Sequence, residues 1–243
     1  MIFSKSINKK MLGAVVLLLT SSFYLNAQST LGVTGLLNSP SAEMSPDGTV
    51  KIGGNFLPMG FLPDTWDYNT FNYFINITPV PFLEIAITNT ALDNFNIGRI
   101  TNQDRAICIR LRPLKEGKYW PAVVVGSNDV LTTSSLLGAG GSNKYFGTSY
   151  LALTKHFDFA GNTLGVHAAY NIPVSVYANQ KFPISGGVSF TPKFYKDLNF
   201  IAEYDTKHFN IGANIIVFKY IYFQFLLNQF KNPVIGFHVQ FTI

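Results

Sequence analysis

Three residues in the C-terminal half have the types that a nucleophilic relay needs: His167, Ser189 and Glu203. A serine becomes a nucleophile when a histidine takes its proton and a third polar group orients that histidine. A second set is ionic. Glu84 in "FLEIAIT" and Arg110 and Arg112 in "RAICIRLR" could pair as opposite charges across neighbouring strands. His156 and His208 fall near turns and have no metal-ligand spacing, and "GAGGSN" (138–143) does not follow a strand into a helix as a phosphate cradle would. No metal or cofactor is expected. The lone Cys108 can form no intramolecular disulfide and reads as a small buried apolar residue.

What positions these residues depends on the solvent the chain meets. Lys5, Lys9 and Lys10 precede the apolar run "MLGAVVLLLT" (11–20), and Ala27 before Gln28 offers a cleavage point. This is the pattern of a secretory signal peptide over residues 1–27. The run is too short for a transmembrane helix, which needs ~20 apolar residues. Cleavage removes three lysines and no acid, so the net charge falls from +5 to +2. The overall pI of 9.2 therefore overstates the basicity of the mature chain, and nucleic acid is excluded as a partner suggested by charge.

Charged residues are 13% of the chain and aromatic ones 15%, against about 25% charged in ordinary soluble domains. Low charge, many Phe and Tyr and no later apolar 20-mer suggest that the chain meets lipid in short alternating pieces. Period-2 alternation predicts twelve strands, at 49–57, 69–78, 82–90, 104–112, 120–128, 146–155, 162–171, 184–192, 198–205, 208–218, 220–228 and 233–243. Long connections (58–68, 91–103, 129–145, 172–183) alternate with short ones such as "PVP" and "HFDFAG", as outer-membrane barrels require. In the last strand Phe237, Val239, Phe241 and Ile243 share one face, with His238, Gln240 and Thr242 on the other. Alternating aromatics at the extreme C-terminus resemble the signal read by outer-membrane insertion machinery. Trp66, Tyr68, Tyr73, Trp120, Tyr145, Tyr177, Tyr195 and Tyr220 lie near strand ends, where interfacial girdles belong.

With the apolar parity facing lipid, Glu84, Cys108, Arg110, Arg112, His167, Ser189 and Glu203 face the lumen, together with Asn72, Asn76, Asn210, Asn214, Gln224, His238 and Gln240. Glu84 should meet Arg110 or Arg112 as a structural ion pair. Some outer-membrane barrels hydrolyse lipids with a serine, a histidine and a polar third residue, but on the lipid side. His167 and Ser189 face inward, so no catalytic residue is assigned and a non-enzymatic barrel is expected.

The segment "GLLNSPSAEMSPDGTV" (35–50) stands ahead of the first strand. Its prolines, Pro40 and Pro46, oppose regular pairing, and Asp47-Gly48 makes a turn. Residues 28–48, with Asn38 and Glu43 among them, are expected to form a short plug or lid at the periplasmic mouth, since a twelve-strand barrel leaves little more room than that. This opening, followed in order by "PFLEIAIT", "DRAICIRL", "WPAVVVGSNDV" and "GTSYLALTK", resembles the YjbH family of outer-membrane proteins over residues 35–155. The resemblance implies an outer-membrane barrel associated with exopolysaccharide production or export.

The resulting expectation is an all-β, closed antiparallel transmembrane β-barrel of twelve strands in a Gram-negative outer membrane: residues 1–27 as leader, 28–48 as plug, 49–243 as barrel. It would act with partners in exopolysaccharide export or envelope assembly, with a small solute pore as the alternative and a lipid-hydrolysing barrel beyond that. The expected partners are outer-membrane lipid, the insertion machinery during biogenesis, and other envelope proteins or a polysaccharide, met through the outer connection 129–145 or one lipid-facing wall. The intact mass of the protein purified from membranes should correspond to a chain beginning at Gln28. A mass that retains residues 1–27 would instead show an uncleaved anchor.

Overall fold

The structure, a computed structural model, describes residues 27–62, 66–94, 99–131, 144–174 and 182–243. The leader before Ala27, the "GAGGSN" loop within 132–143 and Tyr177 lie outside these residues. Among the described residues twelve strands form: β1 (Thr49–Leu57), β2 (Thr70–Val80), β3 (Leu83–Asn94), β4 (Arg99–Leu114), β5 (Ala122–Leu131) and β6 (Thr148–Phe159). They continue as β7 (Asn162–Pro173), β8 (Ile184–Thr191), β9 (Leu198–Tyr204), β10 (Phe209–Val217), β11 (Ile221–Asn228) and β12 (Asn232–Thr242). One short 3-10 turn, Met59–Phe61, follows β1. Among the described residues no helix is long and apolar enough to cross a membrane.

Each strand pairs antiparallel with its sequence neighbours, and β1 pairs with β12 from Thr49↔Thr242 to Phe56↔Ile235. That last pairing closes the sheet. Closure is required because an unpaired backbone group in hydrocarbon costs several kcal/mol, and only a sheet without edges avoids it.

Burial follows the pleat. In β2, Thr70, Asn72, Phe74, Asn76 and Thr78 are buried, while Phe71, Tyr73, Ile75 and Ile77 are exposed. In β12, Phe237 and Val239 point outward and His238 and Gln240 inward. The outer wall is thus a continuous apolar belt, with Ile75 53% and Ile235 55% exposed. A soluble sandwich buries that face, so the belt identifies lipid as the outer solvent.

The connections sort by end. Both termini of the barrel and the turns at 81–82, 160–161 and 218–220 lie at one end, and the strand ends Leu57, Thr70, Leu131, Thr148, Pro173 and Ile184 lie at the other. One expectation is corrected. The long connection at 91–103 is replaced by extended strands, leaving only 95–98 between β3 and β4. A register shift at Leu92/Asp93 breaks the alternation there, so period-2 reading stops short of the true strand ends.

The interior is filled by residues 27–48, the plug. Nearly every residue from Ala27 to Met44 is buried, although the segment holds only isolated bridges at Gln28↔Thr34 and Gly35↔Pro40. Small inward wall residues make room for it. Ala86 and Cys108 pack against Val33, and Ala122, Val124, Ala152 and Ala169 against Ala42 and Met44. Gly32 takes a left-handed φ of +78° beside the Phe74 ring, where a Cβ would collide. Gly48, at φ +73°, turns the plug into β1; its N–H donates to Thr78 O, and its carbonyl accepts from Ile243 N.

At the loop end, Trp66 stacks on Tyr68 and meets Tyr145 edge-on above Leu36, Leu37, Leu57 and Leu226. Trp66 is only 6% exposed, so it caps the lumen and is not part of an interfacial girdle. Trp66 and Tyr68 fold in over the barrel mouth, which strand-end position alone does not reveal.

Arginine in place of Ile75, near the middle of β2 on the lipid face, should cost about 2–4 kcal/mol of stability. Equilibrium urea unfolding in lipid vesicles measures this; an unchanged midpoint would mean that this face does not meet hydrocarbon.

Candidate functional site

The lumen holds the chemistry, and the plug is its centre. An irregular segment buried in a barrel cannot satisfy its own backbone groups, so the wall must supply partners. Thr30 O accepts from Asn55 Nδ2 (3.0 Å) and Asn72 Nδ2 (2.7 Å), Leu31 O from Thr88 Oγ1, and Gly32 O from Asn76 Nδ2 (2.8 Å). Gln28 N donates to Tyr222 Oη, and Ala42 N to Thr154 Oγ1.

Two ionic anchors strengthen this cradle. Glu84 on β3 stands opposite Arg110 on β4, and both side chains are fully buried and ion-paired. Each also holds the plug. Thr34 N donates to Glu84 Oε1 at 2.6 Å, as does Asn76 Nδ2, while Arg110 donates to the carbonyls of Ser41 (2.6 Å) and Glu43 (2.8 Å). Lys51 completes the cluster through Gln28 Oε1 and Thr34 Oγ1. Removing one member of such a buried pair leaves an uncompensated charge, whereas the intact pair is neutral overall and both of its members also bond to the plug.

Arg112, the alternative partner for Glu84, is not in this pair. Leu111 is already level with Leu83, so Arg112 lies at the rim, where it donates to Pro81 O at 2.7 Å.

The second anchor is Glu203 on β9. Its carboxylate accepts from Asn38 N and Ser39 N, consecutive N–H groups of the plug, and from Asn210 Nδ2. Asp205 accepts from Asn38 Nδ2. Glu203 is thereby engaged by the plug and does not orient His167. The His167–Ser189 contact does form, Nε2 to Oγ at 2.9 Å, and Thr154 Oγ1 sits 3.0 Å from His167 Nδ1. Serine, histidine and threonine are buried behind the plug.

A third contact joins plug to wall at the turn end. His156 on β6 has Glu43 Oε1 3.1 Å from Nε2 and Glu116 Oε2 2.7 Å from Nδ1. Glu116 belongs to the β4–β5 turn and also accepts from His156 N and Lys155 Nζ. Partial burial pushes its carboxyl up, but those hydrogen bonds outweigh burial and hold it below the usual carboxylate range. Sequence spacing does not reveal this cluster. His156 and His167 come together only through the β6–β7 register, and Glu43 only through the seating of the plug.

Of the remaining sequence-selected residues, Pro40 bridges to Gly35, Pro46 O accepts from Thr49 N, and Asp47 is exposed in the turn with Gly48. Phe237, Val239 and Phe241 lie on the lipid face, and Ile243 ends the chain at the turn end.

No curated protein matches the chain. Among solved structures it is similar to the outer-membrane phospholipase of Salmonella typhi, determined as a dimer with bound calcium. The match covers 82% of this chain and 92% of that one, at 11% identity and a TM-score of 0.36. This stands against the expectation of a non-enzymatic chain, since a solved structure that it matches is an enzyme. The likeness assigns no reaction. Residues 27–180, more than half of the chain and including the plug and β1–β7, match the family described as YjbH, exopolysaccharide biosynthesis protein YbjH, and the chain belongs to that family.

Proposed function

We propose that the chain is an outer-membrane barrel that works with partner proteins in exopolysaccharide export or envelope assembly, with its plug as the element those partners move. The observation that carries this reading is the plug itself, held across the lumen by Glu84, Arg110 and Glu203. Family membership supports the exopolysaccharide link, and the matched stretch begins with the plug. The apolar belt supports a membrane location, with the turn end toward the periplasm. Phe237, Val239, Phe241 and Ile243 would serve as the insertion signal.

Energetics favour a partner-driven opening. A neutral plug–wall hydrogen bond contributes roughly 0.5–1.5 kcal/mol net, and one to a charged group about 1.5–3. With two carboxylates and a guanidinium engaged, thermal release of the whole segment is rare. Shifting such an equilibrium from 1:99 to 99:1 requires about 5.5 kcal/mol of differential binding, which a docked protein or polysaccharide can supply. A free-standing solute pore would need a vacant lumen, and this one is occupied.

Loss of the gene should lower extracellular polysaccharide in the producing cell, with restoration by the intact chain; unchanged polysaccharide would sink the export reading. In planar bilayers the intact mature barrel should be silent, and removal of residues 28–47 should give steady conductance. Steady conductance from the intact protein would instead favour the solute pore. Glu84→Ala should cost about 3–5 kcal/mol, because it strands the Arg110 guanidinium, and should raise the frequency of transient openings. Arg112→Ala at the rim should stay within about 0.5 kcal/mol of the parent and leave the bilayer recordings unchanged.

A further inference from the structure

Glu43, His156 and His167 converge where the plug meets β6 and β7. In the β6–β7 register His156 stands opposite Gly165, and His167 lies two residues further along β7. Because Gly165 has no side chain, Ser189, His167 and His156 close in over its backbone. A Cβ placed there would lie 2.7 Å from His167 Nε2 and 2.3 Å from Ser189 Oγ, with His156 Cδ2 at 3.1 Å. One candidate donor atom from each of Glu43, His156 and His167 lies within 4.8 Å of the others; Glu43 Oε1 is 3.1 Å from His156 Nε2, and Ser189 Oγ is 2.9 Å from His167 Nε2.

The outer contacts of both rings are already taken. Glu116 Oε2 lies 2.7 Å from His156 Nδ1, and Thr154 Oγ1 lies 3.0 Å from His167 Nδ1. A carboxylate or hydroxyl on Nδ1 is the arrangement that fixes the tautomer and orientation of a metal-bound imidazole, leaving the Nε2 lone pair for the ion. The two rings make a T-shaped contact, with centroids 5.9 Å apart and planes at 82°.

We propose that Glu43, His156 and His167 form a binding site for a divalent transition metal of the zinc class, fastening the plug to the wall at the turn end. Two imidazoles and one carboxylate suit zinc or its first-row neighbours, with Ser189 Oγ or water in the fourth position. Calcium and magnesium, which prefer all-oxygen shells, fit the donor set poorly. One ligand comes from the plug and two from the barrel, so the metal binds only the seated state and favours it by mass action. The site is independent of the exopolysaccharide reading and stands or falls on metal binding alone.

The test uses the refolded mature protein, stripped with chelator, with folding checked by its heat-modifiable gel migration. Cobalt(II) should bind at one equivalent with the visible spectrum of a four-coordinate nitrogen–oxygen site, and zinc should displace it. Glu116→Gln should weaken binding roughly 10–100-fold by freeing the His156 ring. Glu43→Gln and His167→Gln should weaken it further, and His208→Ala should leave it unchanged. Glu43 lies in the plug, so its variant keeps every wall strand intact. Zinc should also slow amide exchange in residues 38–44 of the parent but not of Glu43→Gln. Absence of one-equivalent binding to the folded parent would overturn the proposal. So would binding that survives Glu43→Gln unchanged, or is lost in His208→Ala.

Discussion

A polar backbone cannot be left unpaired in hydrocarbon, and the pairing of β1 with β12 is the interaction through which this chain meets that demand. Once the sheet closes on itself, its outer face must be apolar and its inner face is shut away from bulk lipid. Everything inside then faces a second demand of the same kind. The barrel encloses a volume that side chains alone do not fill, and the filling segment, residues 27–48, has little regular structure. Its N–H and carbonyl groups find their partners in Asn55, Asn72, Asn76, Thr88 and the two buried carboxylates, each placed by the same alternation that sends Phe and Ile outward.

The wall resolves the competition between space and polarity by location. Where the plug needs room, the inward residue is small, as at Ala86, Cys108, Ala122 and Ala152. Where it needs a partner, the residue is long and charged, as at Lys51, Glu84, Arg110 and Glu203. This division holds the plug in two ways at once, by apolar contacts at Val33, Leu36, Leu37, Ala42 and Met44 and by hydrogen bonds to buried charges. The polar contacts can be exchanged for water on release, whereas the apolar ones would expose hydrophobic surface.

Much of the fold was legible because period 2 is imposed by lipid on one side. The twelve strands, the outward faces of β2 and β12 and the facing of Glu84 and Arg110 all follow from parity. Parity fails where the membrane no longer enforces it. Beyond Leu92 the hairpin continues with a register shift, and at the rim Arg112 keeps the inward parity yet meets only the β2–β3 turn. Trp66 and the Glu43–His156–His167 cluster were hidden for a different reason. Their positions are set by segments folding over or into the barrel, and no spacing along one strand records that. Glu203 has the strand position to partner a histidine, but its carboxylate is taken by the plug, whose seat no strand pattern records.

The plug's seat also dictates an order of assembly. Asn38 bonds to Glu203 across 165 residues, and Gln28 bonds to Tyr222 across 194. The plug precedes the whole barrel in sequence, yet the surfaces it docks on are contributed by strands as late as β11. Contacts of such separation form late, because each must wait for the loops between to close. The end of β12 is itself pinned to the plug's exit, through Ile243 N to Gly48 O. The first segment of the barrel unit to be translated is therefore among the last to be ordered, and the nascent chain must carry its polar head unfolded until its own C-terminus arrives to shut the wall around it.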